Sequence, residues 1–190
     1  MEESAVTEKT SSPAISPGFS PSIKKLIGTY EKKLDPKSRI SLPAQFREKL
    51  ENVPLIMVRW LKRSLAIFPE CNWLPFAESI SRLDLYTDIG LTVRHQMFAH
   101  AREVSMDKEG RIVVPPDMVE YARLDHKVML LGDWDKVTMW NYIYYQDQVA
   151  IDDVMVTERF PAVLQLAKGQ KSLEDFELEF LAKANRVNEH

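Results

Sequence analysis

Two short segments of the chain carry the same pattern of charged and turn-forming residues. Residues 34–43 read LDPKSRISLP and residues 106–115 read MDKEGRIVVP, with four identical positions at an offset of 72. In both segments an aspartate stands four residues before an arginine. The two pairs are Asp35 with Arg39 and Asp107 with Arg111. An arginine on a hairpin can bind a phosphate or a guanine edge, and a two-stranded ribbon fits the major groove of DNA. The repeated pattern therefore favours contact with nucleic acid.

The same residues also have a structural interpretation, which the sequence leaves open. Arginines at an interface are normally paired with an acid, and each of these arginines follows a turn acid. Asp35 and Asp107 are predicted to hold their turns by accepting hydrogen bonds from backbone amides. Gly110 allows the positive φ that such a turn needs, whereas the first copy has Ser38 at this position, where a positive φ would cost about 1 kcal/mol.

The charge of the chain is unevenly distributed. The formal net charge is -3, but residues 24–63 hold eleven Lys and Arg against four acids, a local net charge of +7. A basic block in an otherwise acidic chain indicates an anionic partner, although a solvated charged surface would show the same composition. The residues predicted to contact DNA are Lys32, Lys33, Lys37, Arg39, Lys108 and Arg111.

Several classes of function are not supported by the sequence. It holds no glycine-rich phosphate loop, no nucleophile motif and no pair of histidines at metal-binding spacing, since His95 and His100 are five residues apart. The single cysteine, Cys71, excludes an internal disulfide framework. We therefore expect no catalytic site, no metal and no cofactor. No segment is apolar enough to span a membrane and no signal pattern is present, so we expect a cytoplasmic protein.

The segments around the two motifs predict a tandem α+β, strand-rich architecture. In each copy a strand leads into the turn, and a second strand ends at Pro43 or Pro115. A short helix follows, over 44–50 or 116–122, and then two more strands. The connector is predicted to be helical, with Pro75 in the first turn of its first helix. The predicted division is a disordered tail over 1–26, unit 1 over 27–73, a connector over 74–99, unit 2 over 100–146 and an acidic helical extension over 147–190.

The doubled motif resembles the MraZ family of bacterial regulators of the division and cell-wall gene cluster. A single copy would suggest only the wider AbrB-like (SpoVT-AbrB) superfamily. The resemblance implies two swapped-hairpin units that form a pseudo-dimeric, barrel-like core, with Arg39 and Arg111 as the arginines of the family motif. It also implies a homo-oligomeric ring of about eight or more subunits. Such a ring would bind tandem short repeats of double-stranded DNA in its own promoter and associate with the nucleoid.

An alternative function stays open beside DNA binding. The two units could serve mainly for assembly, as in a protein-interaction or antitoxin-like module, and the acidic C-terminal extension would then hold a protein partner. Binding of duplex DNA with a strong dependence on salt concentration distinguishes these hypotheses.

Overall fold

The protein is described here by a computed structural model. It describes residues 25–83 and 87–148, together with Ile23, Phe160, 163–165, 167–169 and Ser172. Eight strands run through these residues: β1 (Leu26–Lys33), β2 (Arg39–Ser41), β3 (Leu55–Arg59), β4 (Leu65–Pro69), β5 (Arg102–Val104), β6 (Arg111–Val113), β7 (Lys127–Trp134) and β8 (Val137–Asn141). The helices are α1 (Ala44–Leu50), α2 (Glu70–Ser81), α3 (Asp88–Arg94), which continues as a π-helix over His95–Ala99, α4 (Pro116–Tyr121) and α5 (142–148).

The strands of the two copies are exchanged. Six of them form one sheet in the order β1-β7-β8-β4-β3-β5, and β2 pairs with β6 in a separate two-stranded ribbon. The first strand of copy one, β1, pairs with β7 of copy two, while β5 of copy two pairs with β3 of copy one. All these pairings are antiparallel. Each copy therefore completes the sheet of the other, as the swapped-hairpin prediction requires.

One core lies between the sheet and the ribbon. Ile40 and Ile112 face each other across the ribbon and are fully buried. They pack with Phe46 of α1, Met118 of α4 and the inner faces of the central strands. A second cluster covers the opposite face of β3 and β4. In it, side chains of these two strands pack against α2 and the π-helix, and its buried members are Ile56, Val58, Ala66, Phe68, Trp73 and Met97.

The α+β class is confirmed, with two differences from the sequence prediction. In the described residues the six-stranded sheet is open and has β1 and β5 as its edges, so it does not close into a barrel. Pro75 does not lie in the first turn of its helix, because α2 already begins at Glu70, directly after Pro69. None of the described helices is both long enough and apolar enough to cross a membrane. Most of the predicted extension over 147–190 and of the tail over 1–26 lies outside the described residues.

A buried asparagine joins three parts of the chain that are distant in sequence. Asn72 in α2 accepts a hydrogen bond from the backbone N–H of Ile23 at 2.9 Å and donates to the carbonyl oxygen of the same residue. It also donates to the carbonyl oxygen of Asp135, in the turn between β7 and β8, at 2.6 Å. These bonds fix the chain just before β1 to both copies.

The first turn places a serine in the left-handed region. Ser38 has a φ of 55° and its counterpart Gly110 has a φ of 75°, so the two turns have the same shape. A side chain at positive φ is strained, and glycine is not. We expect Ser38→Gly to stabilise the protein by about 0.5–1 kcal/mol in urea unfolding, after allowance for the greater entropy of the unfolded chain. Ser41→Gly, in an extended strand, is the matched control and should not stabilise. A destabilised Ser38→Gly variant would contradict this account of the turn.

Candidate nucleic-acid interface

The two motif aspartates organise their turns in the same way. In the first turn Oδ1 of Asp35 accepts hydrogen bonds from the backbone N–H groups of Arg39 at 2.9 Å and Lys37 at 2.8 Å. In the second, Oδ1 of Asp107 accepts from the N–H groups of Arg111 at 2.8 Å and Glu109 at 3.0 Å. Each aspartate therefore bridges two backbone N–H groups of its own turn.

These hydrogen bonds keep the aspartates ionised. The backbone N–H of Arg39 has the largest effect in lowering the pKa of Asp35, and the N–H of Arg111 does the same for Asp107. Because both pKa values are lowered on folding, the carboxylates stabilise the turns above pH 3.8, their ordinary value, and this contribution is lost as the pH falls below it. The turns are thus fully formed at neutral pH.

The ribbon separates an apolar inner face from a polar outer face. Ile40 and Ile112 point inward, so the alternation of side chains in a strand turns their neighbours outward. Arg39 lies opposite Val113, and Ser41 lies opposite Arg111. This outer face, defined by Arg39, Ser41, Arg111 and Val113, combines one strand from each copy. The two arginines stand at opposite ends of it.

The two arginines differ in how much hydrogen-bonding capacity they retain. Nε of Arg39 donates to Oδ2 of Asp35 at 2.7 Å, and its two Nη groups have no partner among the described residues. Nε of Arg111 donates to Asp107 at 2.8 Å, and its Nη2 also lies 2.8 Å from carboxylate oxygens of both Asp107 and Glu109. The hydrogen bond that Arg111 donates to the side chain of Asp107 is the largest influence raising the pKa of Arg111. Arg39 is therefore better able than Arg111 to bind another anion.

The predicted lysines do not all share one side of the sheet. Side chains alternate along β1, so Lys32 lies on the face that carries the ribbon, as do Leu26 and Tyr30. Lys33 lies on the other face, in register with Lys127. Lys37 and Lys108 are exposed in the two turns. Alternation along β1 thus puts Lys32 and Lys33 on opposite faces of the sheet.

Comparison with known proteins agrees with this architecture. The sequence profile of the MraZ protein family, whose description adds the words antitoxin-like, matches residues 26–89 and 97–158. The chain belongs to the MraZ family. It is 35% identical over 129 residues to the transcriptional regulator MraZ of Leuconostoc mesenteroides subsp. mesenteroides, an alignment that covers 66% of this chain and 90% of that protein.

Two further relatives extend the comparison. The chain is 28% identical over 141 residues to the transcriptional regulator MraZ of Thermomicrobium roseum, covering 73% of this chain and 99% of that protein. It is 31% identical over 139 residues to the one from Shewanella amazonensis, covering 70% and 91%. Membership of this family makes the chain a transcriptional regulator and not an enzyme, as the sequence predicts.

Two further residues of the outer face, Ser41 and Val113, have no counterpart among the residues predicted from the sequence. Each is exposed and uncharged and lies across the ribbon from an arginine, so a search for basic residues passes over it. The signal that could have found them is the alternation around Ile40 and Ile112, which places each of them on the same face as a motif arginine.

Proposed function

We propose that the outer face of the ribbon docks in the major groove of DNA, with Arg39 as its main base-reading residue. The observation that carries this proposal concerns Arg39, which is held at the end of a two-stranded ribbon by its bond to Asp35. Neither of its Nη groups has a partner within the described part of the chain. Such a ribbon fits the major groove, and a bidentate arginine there recognises guanine. Lys32, Lys37 and Lys108 contact phosphates around it, while Lys33 and Arg111 contribute less.

We further propose that several copies of the chain form a ring that binds tandem short repeats in its own promoter within the nucleoid. Among the described residues β1 and β5 are the edge strands of the sheet, and this supports assembly, because unpaired edges favour contact with another chain. Units 27–73 and 100–146 would act as one block in each subunit, with 74–99 between them. Light scattering tests the assembly, and a monomer of 22.0 kDa at micromolar concentration would contradict it.

A second candidate function follows from the description of the family as antitoxin-like. In that case the swapped units serve assembly and the C-terminal extension binds a protein. Mobility shift on the DNA upstream of the chain's own gene separates the two functions, since only the DNA-binding function predicts a shift that weakens steeply with salt.

The placement of the lysines gives a sharper form of this test. We expect the double variant Lys32→Ala/Lys37→Ala to bind all duplexes more weakly and to lower the salt slope by about two, one for each lost phosphate contact. Lys33→Ala is the control, because it also removes one lysine charge but from the other face of β1. The salt slope of its DNA binding should stay near that of the wild type. Equal effects of Lys32→Ala and Lys33→Ala would contradict the proposed orientation.

A further inference from the structure

A basic cavity lies away from the ribbon, between the turn that joins β3 to β4 and helix α4. Its volume is about 760 Å³, within the range of cavities that hold small ligands. The lining side chains are those of Arg59, Arg63, Gln96, Asp117, Glu120, Tyr121 and Arg123. Three arginines against two acids leave the cavity with an excess of positive charge.

Arg59 is the most buried of these arginines, and only its Nε is unsatisfied. Nη1 of Arg59 lies 3.2 Å from Nε2 of His100, and Nη2 donates to the carbonyl oxygen of Asp117 at 3.4 Å. Nη2 of Arg59 lies 3.5 Å from a carboxylate oxygen of Asp117, whereas charge-assisted pairs ordinarily lie at about 2.7–2.9 Å. Asp117 is also shared with Arg102, whose Nη2 lies 3.6 Å from the same oxygen. Nε of Arg59 is buried and has no hydrogen-bond partner in the described structure. A buried donor of this kind indicates that a polar group is still to be supplied.

The other two arginines are exposed and held in strained backbone conformations. Arg63 has a φ of 54° and Arg123 a φ of 48°, a region that non-glycine residues seldom occupy. Neither guanidinium has an acidic partner among the residues that the structure describes. Strain of this kind persists where the surrounding structure enforces it, and it is concentrated at functional sites.

Comparison of the two copies shows that the fold does not require an arginine at the position of Arg59. Arg59 is the last paired residue of β3, and the corresponding residue of β7 is Gly132. The second copy therefore builds the same strand end without an arginine. Cζ of Arg59 lies over the ring of Tyr121, 4.9 Å from the ring centroid, a cation–π contact that orients the guanidinium.

We propose that this cavity binds a phosphate group, with Arg63 and Arg123 as its accessible ligands and Arg59 beneath them. Arginine is suited to phosphate because its planar donors match the oxygens in pairs. The phosphate belongs either to a small phosphorylated molecule or to a DNA backbone that passes over this side of the subunit.

The first arm of the test measures binding of inorganic phosphate to the full chain by calorimetry, at constant ionic strength. The wild type should bind, and Arg63→Gln/Arg123→Gln should bind at least about tenfold more weakly, since each substitution removes a charge-assisted contact. Arg82→Gln is the matched control, because Arg82, directly after α2, is 74% exposed and pairs with Glu78. Its affinity for phosphate should equal that of the wild type.

The second arm repeats the comparison with duplex DNA and identifies the source of the phosphate. A weaker duplex affinity and a smaller salt slope in Arg63→Gln/Arg123→Gln, relative to Arg82→Gln, would assign the site to the DNA backbone. Unchanged duplex affinity with loss of phosphate binding would assign it to a small phosphorylated molecule, whether or not the ribbon binds DNA. If the double variant matches Arg82→Gln in both arms, the cavity is not a phosphate site and the proposal is wrong.

Discussion

Replacement of Arg39 by alanine is expected to weaken duplex binding by about 1–3 kcal/mol per contact, which is roughly a fivefold to 150-fold loss of affinity. The loss arises because the Nη groups of Arg39 are the unpaired donors at the end of the ribbon. In a ring that engages tandem sites, several subunits lose this contact together, so the observed loss should exceed that of a single contact. Sequence preference should relax as well.

The corresponding change in the second copy is the natural control. Arg111→Ala should lower the affinity for DNA less than Arg39→Ala does, because the guanidinium of Arg111 is already paired with Asp107 and Glu109. Arg39→Lys should keep part of the affinity and lose most of the sequence preference, since a lysine carries the charge without the bidentate geometry. Fluorescence anisotropy on matched and scrambled duplexes measures both quantities. Equal losses in Arg39→Ala and Arg111→Ala would show that the two turns contribute alike.

The largest expected effect on stability is at Ile40. This side chain is fully buried beneath the ribbon and lies opposite Ile112, so its truncation opens a cavity between the two copies. We expect Ile40→Ala to lower the free energy of unfolding by about 2–5 kcal/mol in chemical denaturation. Val113→Ala is the control in the same ribbon, because Val113 is 55% exposed, and it should change stability by less than about 0.5 kcal/mol. Similar costs for the two variants would contradict the inward orientation of Ile40.

Local features of the fold could be predicted from the sequence because local chemistry determines them. Helix α1 occupies the predicted 44–50, and the proline that precedes it ends the ribbon strand as expected. A local side chain also begins α5. Asn141 lies directly before this helix, and its Oδ1 caps it by accepting a hydrogen bond from the backbone N–H of Tyr144 at 3.0 Å. Local chemistry does not determine that β1 and β5 are exchanged between the copies. A strand paired within its own copy would show the same alternation of side chains, so the sequence pattern cannot distinguish the two arrangements. Only the family resemblance implied the exchange.

The candidate site was partly predictable for the same reason. The motif identified both aspartates and both arginines, and the acids beside Arg111 already indicated a less basic second copy. The structure adds the direct contact, in which Nη2 of Arg111 donates to Glu109 at 2.8 Å. The basic cavity could not be predicted from local sequence patterns. Arg59 and Tyr121 lie 62 residues apart in the sequence, and the fold of the whole chain brings them into contact. Composition placed Lys32 and Lys33 in one cluster, although alternation along a strand assigns them to opposite faces.

The central claim, that the outer face of the ribbon docks on DNA, is tested most directly by a negative charge introduced on that face. Ser41 is exposed between the two arginines and forms no side-chain bond in the described structure, so Ser41→Glu should leave melting temperature and assembly unchanged. Thr29→Glu is the control. Thr29 lies in β1, and its side chain is on the face of the six-stranded sheet that points away from the ribbon. We expect mobility shift to show loss of duplex binding in Ser41→Glu and retention in Thr29→Glu. A Ser41→Glu protein that assembles normally and binds its promoter as tightly as the wild type would contradict the account.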